Sequence, residues 1–205
     1  MDIPLKCLCG AVRGVVKDLP GSHASRMVCF CDDCQAFAHQ LGRAADVLDA
    51  NGGTDILPVV PAAIKITKGA ENLRALRLTE KGLLRWYAGC CNTPVANTPS
   101  SPRLPYVGTI HTIMDHGGHG RTREQDLGPV AFRIMARFGR GQLPVDAHPK
   151  MPLKGVASMA RFVIAALLRR QQSPSPFFGP DGKPRVEPQI LTGAEREALS
   201  KLCGT

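Results

Sequence analysis

Aromatic residues are scarce in this sequence. They make up 5% of 205 residues, with one tryptophan and two tyrosines. A core of normal size must therefore rest on aliphatic side chains and on whatever else can tie the chain together. Lysine and arginine are numerous but never form a block of five or six, which disfavours a nucleic-acid-binding tail. The most apolar run, Phe162 to Leu168, is far too short to span a bilayer, so no membrane span is expected. Met1 to Lys6 contains no apolar stretch of the signal-peptide kind, so a cytoplasmic location is expected. No internal repeat is found.

What the sequence does have is grouped cysteine. Seven of eight fall in three clusters: Cys7-Leu8-Cys9, Cys29-Phe30-Cys31-Asp32-Asp33-Cys34 and Cys90-Cys91; only Cys203 stands alone. In a chain that is not exported, such clusters read as metal ligands rather than disulfides. Alternate residues of an extended segment share a face, so Cys29 and Cys31 can converge, and the turn to Cys34 can add a third sulfur. A tetrahedral zinc with bonds near 2.3 Å needs its sulfurs about 3.8 Å apart, which local chain of this kind can supply. A disulfide between such close neighbours would be strained. Three ligands with no local fourth resemble an open, catalytic type of zinc site. A redox Cys-x-x-Cys pair and ordinary thiols are the alternatives.

The formal charge is +9 with every cysteine neutral. Seven thiolates on two zinc ions would lower it by three charges, to about +6, because ligating thiols lose their protons. A small anionic substrate therefore suits the surface better than a basic one would.

Along the chain, Leu5 to Lys17 reads as a hairpin turning at Gly10, with Cys7 and Cys9 extended on one face. Asp18 to Ser22 is a loop, and His23 is expected to be solvent-exposed. Arg26 to Val28 leads as a strand into the central knuckle. Cys34 to Leu41 reads as helical turns ended by Gly42, with His39 on the surface or hydrogen-bonded. Ala45 to Gly53 is polar and turn-rich. Four strands follow: Ile56–Val60, Ala63–Thr67, Leu73–Leu78 and Leu83–Tyr87. A helix over Ala70 to Leu78 is the competing reading. Ala96 to Pro105 is expected as loop, and Tyr106 to Ile110 as a further strand. Asp115-His116-Gly117-Gly118-His119-Gly120 is expected as a solvated loop, since glycine this dense does not hold ligands rigidly.

Residues 1–145 thus read as a zinc-binding β domain and 146–205 as an extension. In the extension, Lys154 to Arg170 reads as a helix apolar nearly all round, expected to be buried in the core, with a homodimer or a membrane surface as the alternatives. A Pro-rich linker runs from Ser173 to Pro188. Thr192-Gly193-Ala194-Glu195 is a capping box for a short last helix.

Taken together, Cys-x-Cys-Gly, Cys-x-Cys-x-x-Cys, Ile66-Thr67-Lys68-Gly69, Arg85-Trp86-Tyr87 and Cys91-Asn92-Thr93-Pro94 resemble the glutathione-dependent formaldehyde-activating enzyme / centromere protein V family, over Leu5 to Asp115. The resemblance implies a mainly β fold, a zinc-bound β-tent of small antiparallel sheets. It implies one or two Zn²⁺: a structural ion at Cys7, Cys9 and the late pair, and an open one at Cys29, Cys31 and Cys34. It also implies carbon–sulfur lyase chemistry on a glutathione adduct such as S-hydroxymethylglutathione, with Arg85 and Arg43 as candidates for its carboxylates. A non-catalytic zinc-stabilised interaction module is the alternative, and DNA association, known from the centromere member, is disfavoured by the even charge. The chain departs from the family at the late pair. There Ala88 stands at the family's first cysteine and Cys90 is extra. Adjacent strand residues face opposite ways. Cys90 and Cys91 can share a metal only if the chain kinks, which is the favoured outcome. A three-cysteine site completed by another group, or loss of that zinc, is the alternative.

Overall fold

The computed structural model describes residues 1–19 and 25–204. His23 lies outside the described residues. The fold is mainly β, with two sheets and a few helices. Strands β1 (Ile3–Lys6) and β2 (Arg13–Val16) form the hairpin, and β3 (Met27–Cys29) leads to helix α1 (Asp32–Gln40). A short helix α2 (Ala44–Val47) occupies the polar segment. Then come β4 (Thr54–Val59), β5 (Ile64–Lys68), β6 (Leu73–Arg77) and β7 (Leu84–Ala88). All four strands of this stretch form, and Ala70 to Leu78 is strand preceded by a single helical turn.

The expected loop at Ala96 to Pro105 begins later than its composition suggests. Strand β8 (Thr93–Thr98) is buried along its whole length and pairs with β7 and with β9 (Val107–Ile110). Its polar residues are tolerated because they are bonded: Asn97 accepts from Arg85 at 3.2 Å and Thr98 accepts from the Trp86 indole at 3.0 Å.

Past β9, helix α3 (Arg123–Leu127) and strands β10 (Phe132–Ile134) and β11 (Ala147–His148) precede helix α4 (Leu153–Leu168), strand β12 (Gln189–Ile190) and helix α5 (Gly193–Ser200). One sheet has the order β1-β2-β5. The other has nine strands, β11-β10-β3-β4-β9-β8-β7-β6-β12. Its centre is antiparallel, as expected, but both edges are parallel: β10 runs with β3 and β11, and β12 runs with β6. The segment 146–205 thus adds an edge strand at each side of the large sheet. No helix of the described residues is long and apolar enough to cross a membrane.

The faces of the large sheet have different tasks. One packs on the small sheet through Leu57, Ala75, Trp86 and Ala96 against Ile3, Leu5 and Val16. The other carries Cys29, Thr54, Arg85 and Asn97 and is covered by α1 and α5.

Two sequence expectations for the extension are corrected. The Pro-rich segment is not a free linker: Phe177 and Phe178 are buried, with ring centroids 4.9 and 6.2 Å from Trp86. With few aromatics in the chain, these two fill the core beside the single tryptophan. Helix α4 forms, but it is not buried. Only Gly155 and Ala166 are, and its large aliphatic residues point outward. The capping box at Thr192 is present in full.

Candidate metal centres

The first cysteine group is built from two turns facing each other. Strand β1 ends at Lys6, so Cys7 and Cys9 converge in a turn and not along a strand, as the two-residue repeat had implied. Gly10 takes φ +74° there, a left-handed conformation that costs glycine little. The opposing turn follows β7. Cys91 N–H donates to the Ala88 carbonyl at 3.2 Å, and Asn92 takes φ +54°. This kink lets the adjacent Cys90 and Cys91 approach one point. Sulfur separations are 3.6 Å for Cys7–Cys9, 3.8 Å for Cys7–Cys90, 3.4 Å for Cys9–Cys90 and 3.9 Å for Cys90–Cys91. They bracket the spacing of about 3.8 Å that a tetrahedral thiolate site requires. Thr93 joins the two turns: its hydroxyl accepts from Leu8 N–H at 3.0 Å and lies 3.1 Å from Cys91 Sγ. Ala88 is fully buried in the core.

The second group sits where β3 runs into α1. Cys31 is the residue capping the helix, and its Sγ accepts from Cys34 N–H at 3.4 Å. Cys34 lies in the first turn and Cys29 at the end of the strand. The three sulfurs lie within 4.8 Å of one another. Cys29 and Cys34 are buried and Cys31 is half-buried. The helix start favours negative charge at this point.

Arg85, only 3% exposed, comes from β7 on the same sheet face. It donates to Cys34 Sγ at 3.9 Å and to Asn97 at 3.2 Å, lies 3.5 Å from Asp33, and stacks over the Phe37 ring at 5.6 Å. Hydrogen bonds from the Cys29 and Cys31 thiols hold Cys34 well below the ordinary thiol value; burial opposes them and Arg85 assists. Bonding with Cys31 and Cys34 pushes Cys29 well above it, and burial adds to this. For Cys31 the bond from Cys29 lowers the value, but the bond with Cys34 and burial outweigh it. Among the trio Cys34 is thus the thiol most favoured to ionise, and metal binding would require its neighbours to lose their protons.

In the first group burial raises Cys7 and Cys90. Burial also pushes Cys91 up, but the Thr93 hydroxyl and the backbone N–H groups of Cys9 and Thr93 outweigh it and bring Cys91 down to about 6.

All seven candidate cysteines therefore fall into two groups that could hold a metal ion. Among the described residues no histidine joins them. His39 lies on α1 near Arg140 and Leu202. In the Asp115–Gly120 segment Gly117, Gly118 and Gly120 are exposed, as expected of a solvated loop, but its first two residues are fastened: His116 pairs with Asp126 at 2.5 Å and Asp115 with Lys6 at 3.5 Å. Arg43 pairs with Asp46 at 2.8 Å and lines a hollow beside Cys7, away from the three-cysteine group. A cavity of about 910 Å³, lined by Arg26, Asp55, His111, Arg123 and Arg133, opens on the sheet face opposite Cys29. Its charges are largely paired internally, with Arg26 and Asp55 2.6 Å apart.

Sequence reasoning missed Asn97, Thr54 and Tyr106. Thr54 is the cross-strand partner of Cys29, is 2% exposed, and has a hydroxyl without a hydrogen-bond partner. Burial, and after it the nearby Cys34 and Cys29, push the Tyr106 hydroxyl up, and that hydroxyl lies 2.8 Å from where a Cβ on Gly108 would stand. The Gly108 position was the one available signal, since a strand glycine often marks a close approach.

The fold and site define a mainly β protein with a four-cysteine and a three-cysteine group, each of which could hold a metal ion. The chain belongs to the family of unknown function DUF6151, which it matches over residues 1–189, a span that takes in both groups and α4. A crystal structure of a Rhodobacter sphaeroides protein is similar over 63% of this chain and 97% of its own, at 22% identity and a TM-score of 0.41. No curated protein matches.

Proposed function

We propose that this is a zinc protein in which Cys7, Cys9, Cys90 and Cys91 hold a structural ion. In this reading Cys29, Cys31 and Cys34 hold a second ion with a coordination position to spare. The observation that carries the proposal is the difference between the groups: four sulfurs at tetrahedral spacing in one, three beside a buried arginine in the other. Zinc at the second group would supply an electrophile for the sulfur of a small anionic thiol adduct. The likeness of the cysteine pattern to the glutathione-dependent formaldehyde-activating enzymes supports a carbon–sulfur lyase acting on an adduct such as S-hydroxymethylglutathione. The carbon–sulfur bond would break with its electron pair on sulfur, the adduct hydroxyl would lose its proton, and formaldehyde and the thiol would be the products. Arg85 would offset the charge of the thiolates, and Thr54, whose buried hydroxyl has no hydrogen-bond partner, would offer a hydrogen bond to the oxygen of the adduct.

A non-catalytic zinc module is favoured by a different observation. Helix α5 is fastened over the knuckle, with Arg196 2.8 Å from Asp32 and 2.9 Å from Asp33. Zinc per chain, measured for the wild type, Cys31→Ser and Cys90→Ser, tests both readings. Two ions, with each variant losing one and Cys31→Ser still folded and inactive towards the adduct, support the enzyme. A Cys31→Ser variant that unfolds makes the central ion structural and supports the module.

A further inference from the structure

Helix α4 turns its apolar side away from the protein. Leu153 is 87% exposed, Leu168 81% and Ile164 56%. At 100° per residue these three fall in one arc with Val156, Ala160 and Leu167, and no charged residue interrupts it. The opposite arc rests on the body: Met159 packs on the cluster that holds Cys29 and Cys34, and Ala166 is buried. The helix is held at its C-terminal end by Ala62 N–H donating to the Gln171 carbonyl at 3.1 Å. Its outward face is therefore a fixed surface and not a frayed segment.

Charge identifies what covers it. Lys154 and Arg161 border the arc along one side, and Arg169 and Arg170 follow its C-terminal end. Between Asp146 and Asp181 there is no acidic residue at all. A second copy of this chain docked through α4 about a two-fold axis would bring Arg161, near the middle of the helix, against its own equivalent. No carboxylate of the helix could answer it, and like charges set together oppose association. An anionic bilayer answers both features: apolar side chains enter the boundary of headgroups and acyl chains, and a cationic rim meets lipid phosphates. At 16 residues the helix is about 24 Å long, too short to span and suited to lie flat. We propose that the outer arc of α4, centred on Ile164, seats this protein on an anionic lipid surface, with Lys154 and Arg161, which border the arc, at the lipid phosphates.

The inference is independent of the metal and of the lyase reading. It is tested with the full chain as purified, by co-sedimentation with phosphatidylcholine vesicles with and without phosphatidylserine. The expected result is binding only when phosphatidylserine is present, reduced about ten-fold by Ile164→Glu and reduced at high salt in the wild type. Ile164→Glu alters an exposed side chain, so its thermal unfolding should match the wild type. The proposal is overturned if the wild type ignores phosphatidylserine vesicles. It is also overturned if Ile164→Glu binds them as well as the wild type, since general basicity would then suffice. Sedimentation velocity adds a separate outcome: a dimer that Ile164→Glu converts to monomer would make a second copy the occupant.

Discussion

Arg85 holds Cys34 and Asp33 at once, with one guanidinium nitrogen 3.9 Å from Cys34 Sγ and another 3.5 Å from the Asp33 carboxylate. It comes from a strand 51 residues away and is the buried charge nearest the three-cysteine group. Groups that orient and neutralise metal ligands typically matter 10- to 100-fold in metal affinity. If the three-cysteine group holds the proposed zinc, Arg85→Met, close in length but neutral, should weaken that site by about this factor. The four-cysteine site should keep its affinity. Chelator competition followed on both ions checks this. Equal weakening of both sites would mean that Arg85 acts on the fold and not on the site.

The depressed Cys91 thiol has a consequence for the metal-free protein. Its value of about 6 lies below the ordinary thiol value of 9.0. A group lowered on folding contributes stability that is full above the unfolded value and lost as pH falls through the folded one. Here that window runs from about 9 down to about 6. Above pH 6 the metal-free protein should carry Cys91 as thiolate, so iodoacetamide should alkylate Cys91 ahead of the exposed Cys90, which is raised. Mass spectrometry of the digested product, across pH 5 to 10, should give a midpoint near 6 for Cys91. A midpoint near 9 would remove the hydrogen bonds from Thr93 and Cys9 as the cause.

What was legible in the sequence was local. Each cysteine turn, the hairpin around Gly10, the strands from Ile56 to Tyr87 and the Thr192 capping box depend on residues a few positions apart. What was not legible depends on distant partners. Asn97 and Thr98 read as loop because they open a Ser/Pro-rich stretch, and bonds from Arg85 and Trp86 make them acceptable in a central strand. Phe177 and Phe178 sit among prolines and glycines, and nothing nearby marks them for burial beside Trp86. The apolar run of α4 was the plainest signal and misled, because apolarity reports the need for a partner and not where that partner lies. The joint position of Arg85, Asn97 and Thr54 with the three cysteines follows from sheet register alone, which no single segment reveals.

Arg196 joins α5 to the knuckle by bonding Asp32 and Asp33 together. Both carboxylates are more than a third exposed, so the pair is screened and worth about 0.5–1 kcal/mol. Arg196→Ala should lower unfolding free energy by about that amount. Its larger effect should be local. Amide exchange should speed up in α5 and stay unchanged in β7 and β8. Metal content should be retained. Loss of the central ion in this variant would show that the α5 contact is needed to close the knuckle, and would favour the module reading.

Trp86 and Phe177 meet at 4.9 Å in the middle of the core, both fully buried. Phe177 belongs to the segment that returns from α4, so this contact anchors the extension to the β framework. Deleting a buried ring leaves a cavity that packed neighbours only partly close, at a cost of about 3–5 kcal/mol. Phe177→Ala should lower the urea midpoint accordingly while the slope of the transition stays near that of the wild type. Trp86 is the single tryptophan, so its fluorescence reports the site directly. Emission of the folded variant should shift to longer wavelength as water approaches the indole, and the Thr98 bond should hold the ring in place. An unshifted spectrum with an unchanged midpoint would mean that residues 177 and 178 do not form part of the core. The Pro-rich segment would then be the free connection that its composition suggests.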